Sequence, residues 1–194
     1  MYDYFLFYWL MWMLVIIVYF FMRRSRKQRF LLGWILLVIS SADVMIHIGM
    51  IQISIGFLGV IVGTFVYFLF SPVTTKKLLI TFLVMIGYGG LLMWHQIAPI
   101  WFFIPAYLML PICMVGLVLL LERDMTVTFP VLILGMLLGQ CIFQVLLIMY
   151  HLSEMVGKVL WMAQIGVGVM FMVGIYVGQW AIIFISNIVH RKLI

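Results

Sequence analysis

The chain has 194 residues, of which 68% are hydrophobic and 8% charged, and it carries a net charge of +6. A soluble domain is about half apolar and a quarter charged, so this composition excludes a soluble enzyme, and no segment is long and polar enough to fold as a separate domain outside a membrane. The basic excess lies almost wholly in the segments between apolar runs, where it reports topology and not nucleic-acid binding.

At about 20 residues per crossing, the length allows roughly six to eight transmembrane helices. The pattern predicts an all-α, polytopic membrane protein of seven, forming one bundle over residues 1–194. The first span, 4–22, opens with Tyr4, Phe5, Phe7, Tyr8, Trp9 and Trp12, rings suited to the headgroup layer. It lacks a basic leader and a small-residue cleavage site, so it reads as a retained helix and not as a signal peptide. The dense basic run Arg23, Arg24, Arg26, Lys27 and Arg29 follows. It could attract anionic lipid headgroups or an acidic partner, although orientation alone explains it.

The second span is expected over 30–48. A link at 49–54 leads to the third, 55–70, which Ser71-Pro72 ends. Lys76 and Lys77 precede the fourth span, 78–94. The fifth, 100–121, contains Pro105 and Pro111 and should be kinked. The sixth, 129–150, begins with Pro130 in its first turn. The seventh, 159–185, continues toward Val189, longer than one crossing needs.

With the N-terminus outside and the C-terminus in the cytoplasm, ten of the eleven Lys and Arg residues face inward and only Lys158 faces outward. That asymmetry is the positive-inside pattern, and it holds at each alternate loop.

Polar residues within the spans are the candidates for chemistry, because an isolated intramembrane charge costs about 2.5–3.5 kcal/mol on insertion scales. Ser40, Asp43 and His47 would share one face of the second helix. A carboxylate beside an imidazole can serve as a proton relay, a cation site or a ligand anchor; it can also simply reach headgroup water. Three such groups on one helix face do not surround a substrate atom as a catalytic triad must, so no enzyme is expected. Gln140 and Gln144 in the sixth span, and Gln164 and Gln179 in the seventh, read as interhelical bridges. His95, His151 and Glu154 have no metal-ligand spacing, so neither metal nor cofactor is expected. Cys113 and Cys141 read as small packing residues.

Three small-residue strips are more definite: Gly59 and Gly63, Gly135 and Gly139, Gly174 and Gly178. Glycines four apart let another helix approach closely. They suit packing within this bundle or a homo-oligomer face.

Phe7-Tyr8-Trp9 with Trp12, the basic loop, Pro99-Ile100-Trp101 with Phe103, and Leu134-Gly135-Met136 with Gly139-Gln140 together resemble the YphA family. These are small membrane proteins of Gram-positive, spore-forming bacteria, and the resemblance spans nearly the whole chain. It departs at Gln140, where the family often carries Glu. The resemblance implies a multi-pass protein of the bacterial plasma membrane and supplies no activity. Two classes of function follow from the residues. One is a non-enzymatic scaffold, assembly factor or partner subunit, bound to the lipid bilayer and to a membrane-protein partner or a second copy. The other is a small transporter or sensor with an outward-facing site at Asp43 and His47.

Overall fold

A computed structural model of the chain describes residues 2–48, 51–69, 74–122, 124–150, 155–157 and 159–192. Ser71, Pro72, Arg123, His151, Glu154 and Lys158 lie outside the described residues, as do the side chains from 183 onward.

Among the described residues the fold is all-α apart from one small sheet. Seven α-helices run in order among the described residues: α1 Tyr2–Phe21, α2 Arg26–Ser41, α3 Ile55–Leu69, α4 Thr75–Ile97, α5 Ala106–Leu121, α6 Met125–Met149 and α7 Val159–Lys192. Among the described residues, four stretches are long and apolar enough to cross a membrane: Tyr4–Phe21, Thr75–Ile97, Val127–Met149 and Val159–Ile182. α3 and α5 are apolar but shorter.

The helices form a ring with two helices laid against it. α1 packs on α2 and α7, α2 on α3, α3 on α6, and α6 on α7, which closes a five-membered circuit. α4 packs along α6 in the most extensive helix pairing of the molecule, and α5 fills in between α4 and α7. Tyr88, Val84, Leu110, Met114, Leu132, Met136, Met162 and Met172 belong to one buried apolar core that runs through both parts.

Several boundaries differ from the sequence expectation, each for a local reason. The second helix stops at Ser41, not residue 48. The hydroxyls of Ser40 and Ser41 both donate back to the Leu37 carbonyl, at 3.0 and 2.7 Å, a pattern that competes with the helical ladder. The chain then turns into strand β1, Met45–Ile48, which pairs antiparallel with β2, Ile51–Ser54. The expected link at 49–54 is therefore largely strand. A short third strand, β3 Met155–Val156, joins β2 in parallel, with Gln52 opposite Met155.

The fifth helix starts at Ala106 because Pro105 takes the N-cap position, after a 3₁₀ turn at Pro99–Trp101. Of the two prolines, only Pro111 lies inside the helix. The sixth helix starts a turn earlier than expected, so Pro130 is interior and not in the first turn. The Asp124 carbonyl supports that extra turn, accepting from the amides of Val127 and Thr128 and from the Thr128 hydroxyl.

Caps and small residues fix the joints. Ser54 is fully buried; its hydroxyl donates to the Ala42 carbonyl at 2.9 Å and accepts from the Phe57 amide. Gly56 lies against the Ala42 backbone. Gly157, at φ +74°, makes the turn into α7 while pressed against the Phe57 side chain, a conformation and a gap that only glycine fits without strain.

Candidate functional site

The polar residues expected to converge at the outer end of the second helix do not share a helix face. Ser40 is on α2, Asp43 is in the following turn, and His47 is on β1 opposite Gln52. Asp43 and His47 are both exposed. Asp43 instead accepts a 2.7 Å hydrogen bond from the Tyr8 hydroxyl. This charge-assisted bond ties α1 to the end of α2. No local pattern marks Tyr8 as the partner, because the two residues meet only through the packing of α1 on α2.

The interior amides are buried. Gln140 and Gln144 lie on the packed face of α6, and Gln164 lies on α7, where it accepts a short hydrogen bond from the fully buried Tyr88 hydroxyl of α4. That bond joins two layers of the bundle across apolar surroundings. Trp161, one turn before Gln164, packs edge-on against Phe57 with ring centroids 5.0 Å apart. The Gln140 Oε1 has no hydrogen-bond partner among the described residues. Gln179 is exposed.

The basic segment splits between the two sides of a cap. Arg23 and Arg24 precede Ser25, whose hydroxyl accepts from the Gln28 amide at 3.2 Å and caps α2. Arg26, Lys27 and Arg29 occupy the first turns of that helix, and all five basic side chains are exposed. Gln28 between them is buried, and its side-chain amide donates to the carbonyls of Val18 and Tyr19, both at 3.0 Å. It thereby satisfies acceptors left open near the end of α1 and holds the basic loop against it. Downstream, Lys76 pairs with Glu122 at 2.9 Å, and the Lys77 ammonium sits 4.2 Å from the centre of the Phe68 ring.

The three glycine strips have different fates. A Cβ on Gly59 would meet Leu37, and one on Gly63 would overlap the Trp34 indole, whose N–H donates to the Gly59 carbonyl at 2.9 Å. Gly135 and Gly139 are pressed onto α4, where added Cβ atoms would come within 2.6 Å of Val84 and 2.7 Å of the Met85 carbonyl oxygen. Gly174 and Gly178 are exposed, and among the described residues nothing lies within 4 Å of a Cβ built on either. The expected packing within the bundle is not seen for that pair among the described residues.

The reason lies in α7 itself. Residues 161–168 are buried without exception, but the helix continues past the bundle core. On the far half, Phe171, Gly174, Gly178 and Ile182 follow one another at helical spacing along a single face. Phe171 is 44% and Ile182 69% exposed. The result is a flat glycine floor between two large apolar side chains, open to its surroundings.

A family model described as YphA-like integral membrane protein matches residues 3–193, and the chain belongs to that family. No curated protein and no solved structure matches it.

Proposed function

Taking membership of a YphA-like integral membrane family as the premise, we propose that the chain is a non-enzymatic partner subunit of the bacterial plasma membrane. It crosses seven times, with its N-terminus outside and its C-terminus in the cytoplasm, and it docks a transmembrane helix of another membrane protein on the open face of α7. The observation that carries this reading is the contrast among the glycine strips. Two of the three are filled by neighbouring helices, whereas Gly174 and Gly178 face nothing among the described residues. Without a hydrophobic force between helices in lipid, such strips act by letting backbones approach closely.

Two ties at the ends of the spans support the seven crossings, including those of the shorter helices. The β2–β3 pairing joins the α2–α3 and α6–α7 connections, and the Lys76–Glu122 ion pair joins the first turn of α4, just after the α3–α4 connection, to the α5–α6 connection. Strictly alternating spans put each pair of connections on one side. The asymmetry of Lys and Arg then supports the orientation.

Affinity purification in a mild maltoside detergent should recover a stoichiometric membrane partner. Gly174→Ile with Gly178→Ile should release it while leaving the chain itself folded, because both positions face open space. Recovery of the chain alone, or of the same partner from the doubly substituted protein, would sink the reading.

A further inference from the structure

The five-helix ring is not filled. It encloses a half-open cavity of about 320 Å³ bounded by all five of its helices. Met11, Trp34, Val60, Ile133 and Met162 contribute to its wall, which is apolar almost throughout. That is roughly twice the ~150 Å³ apolar cavity that takes up a benzene ring, so it has room for about a dozen carbons.

Thr64, with Trp34 and Tyr67, brings a polar group to that wall. Its side chain is only 2% exposed, it lines the cavity, and its Oγ1 has no hydrogen-bond partner among the described residues. A threonine hydroxyl in a membrane helix can satisfy itself by donating to the carbonyl a turn earlier. This one does not, and a hydroxyl left unpaired in apolar surroundings is costly.

A second depression, a groove of about 800 Å³, adjoins the cavity. Arg24, Ser25, Arg26 and Arg29 line it beside Tyr19 and Phe20, and Met22 belongs to both walls. Gln28 anchors the join through its bonds to Val18, which lines the cavity, and Tyr19, which lines the groove. Because Gly63 faces Trp34 across the α2–α3 contact, Thr64 stands near the level of Gly33. Arg29 is four residues further along α2, about 6 Å of helix rise.

A hydrocarbon slot, an unpaired buried hydroxyl at its side and a three-arginine groove at its end are the complement of one molecule. We infer that the ring binds an anionic phospholipid from the leaflet that the basic loop faces. One acyl chain fills the cavity, an ester carbonyl accepts from the Thr64 hydroxyl, and the phosphate lies among Arg24, Arg26 and Arg29. Guanidinium groups bind phosphate oxygens in a bidentate fashion that ammonium groups cannot reproduce.

The test is native mass spectrometry of the whole protein from maltoside micelles. It would be titrated with dioleoyl phosphatidylglycerol, with the phosphatidylcholine of the same chains, or with oleate. One phosphatidylglycerol should be retained per chain, at least tenfold more tightly than either of the other two. Thr64→Val, which keeps the side-chain shape, should weaken phosphatidylglycerol binding about fivefold, in line with one lost hydrogen bond. Replacing Arg24, Arg26 and Arg29 together by Lys keeps the loop charge that directs insertion. It should cut the preference for phosphatidylglycerol over phosphatidylcholine about tenfold. Equal binding of the two phospholipids, oleate binding as tight as phosphatidylglycerol, or an unchanged preference in the triple-lysine protein would each overturn the inference.

Discussion

Replacing Gly139 by alanine tests whether the α4–α6 contact depends on backbone approach. An added Cβ would lie 2.7 Å from the Met85 carbonyl oxygen and 3.2 Å from both the Gly89 amide nitrogen and the Tyr88 ring. Ordinary contact begins near 3.4 Å, so α6 must retreat by about 0.7 Å or the α4 backbone must yield. A gap of 0.5–1 Å already forfeits a quarter to a half of the dispersion attraction between facing atoms, and overpacking costs about 1–3 kcal/mol. Alanine's better helix propensity returns at most about 1 kcal/mol. Gly178→Ala is the internal control: it gains the same propensity and meets nothing among the described residues. In reversible unfolding from maltoside into SDS, Gly139→Ala should therefore lose about 1–2 kcal/mol, while Gly178→Ala holds level or gains a few tenths. Equal stabilities for the two variants would refute the view that the strip on α6 is occupied and the strip on α7 is open.

Other consequences can be measured in the same detergent system or in cells. Trp34→Phe removes the donor to the Gly59 carbonyl and should cost about 0.5–1.5 kcal/mol, read as a shift in the unfolding midpoint. Gln28→Leu removes two bonds to α1 carbonyls. It should cost about 1–3 kcal/mol and raise hydrogen exchange at the end of α1 more than in α6; uniform exchange would show that the cap acts elsewhere. Tyr8→Phe should cost no more than about 1 kcal/mol, since Asp43 is exposed and water replaces the lost donor; a larger loss would give that pair a role beyond tying α1 to α2. With Cys113→Ala and Cys141→Ala as background, His47→Cys should react with an impermeant thiol reagent on intact cells and Ser25→Cys should not. The opposite pattern would invert the proposed orientation.

The lipid environment, the family and the existence of seven helices were legible in the sequence because they rest on sums: runs of apolar residues and one repeated charge asymmetry. What escaped depended on single hydrogen bonds and on partners far away in sequence. Ile46, His47 and Ile48, then Ile51, Gln52, Ile53 and Ser54, alternate with a period of two, and two residues separate the runs. That is a hairpin signal, and it was readable; the apolar content around it drew the region into helix and link. Asp124 as the support for an early start of α6, and Tyr8 as the partner of Asp43, leave no local trace. The glycine strips show the limit most plainly. All three have the same spacing, yet only the packing of the other helices decides which of them is filled. The cavity is still less visible, because it is made by what five helices fail to fill, and an unfilled volume belongs to no residue.

The closed circuit of α1, α2, α3, α6 and α7 has a consequence for biogenesis. Helices enter a membrane from the N-terminus onward, so α1 must remain beside α2 and α3 with one flank uncovered until the last helix arrives. The β2–β3 strand pair imposes the same wait, since its two halves are about a hundred residues apart along the chain. Until α7 seats, the interior is an open gutter accessible to surrounding lipid. Its final closure encloses whatever lies inside, so loading of the ring can belong to assembly itself, and an occupant captured then need never find an entrance in the finished protein.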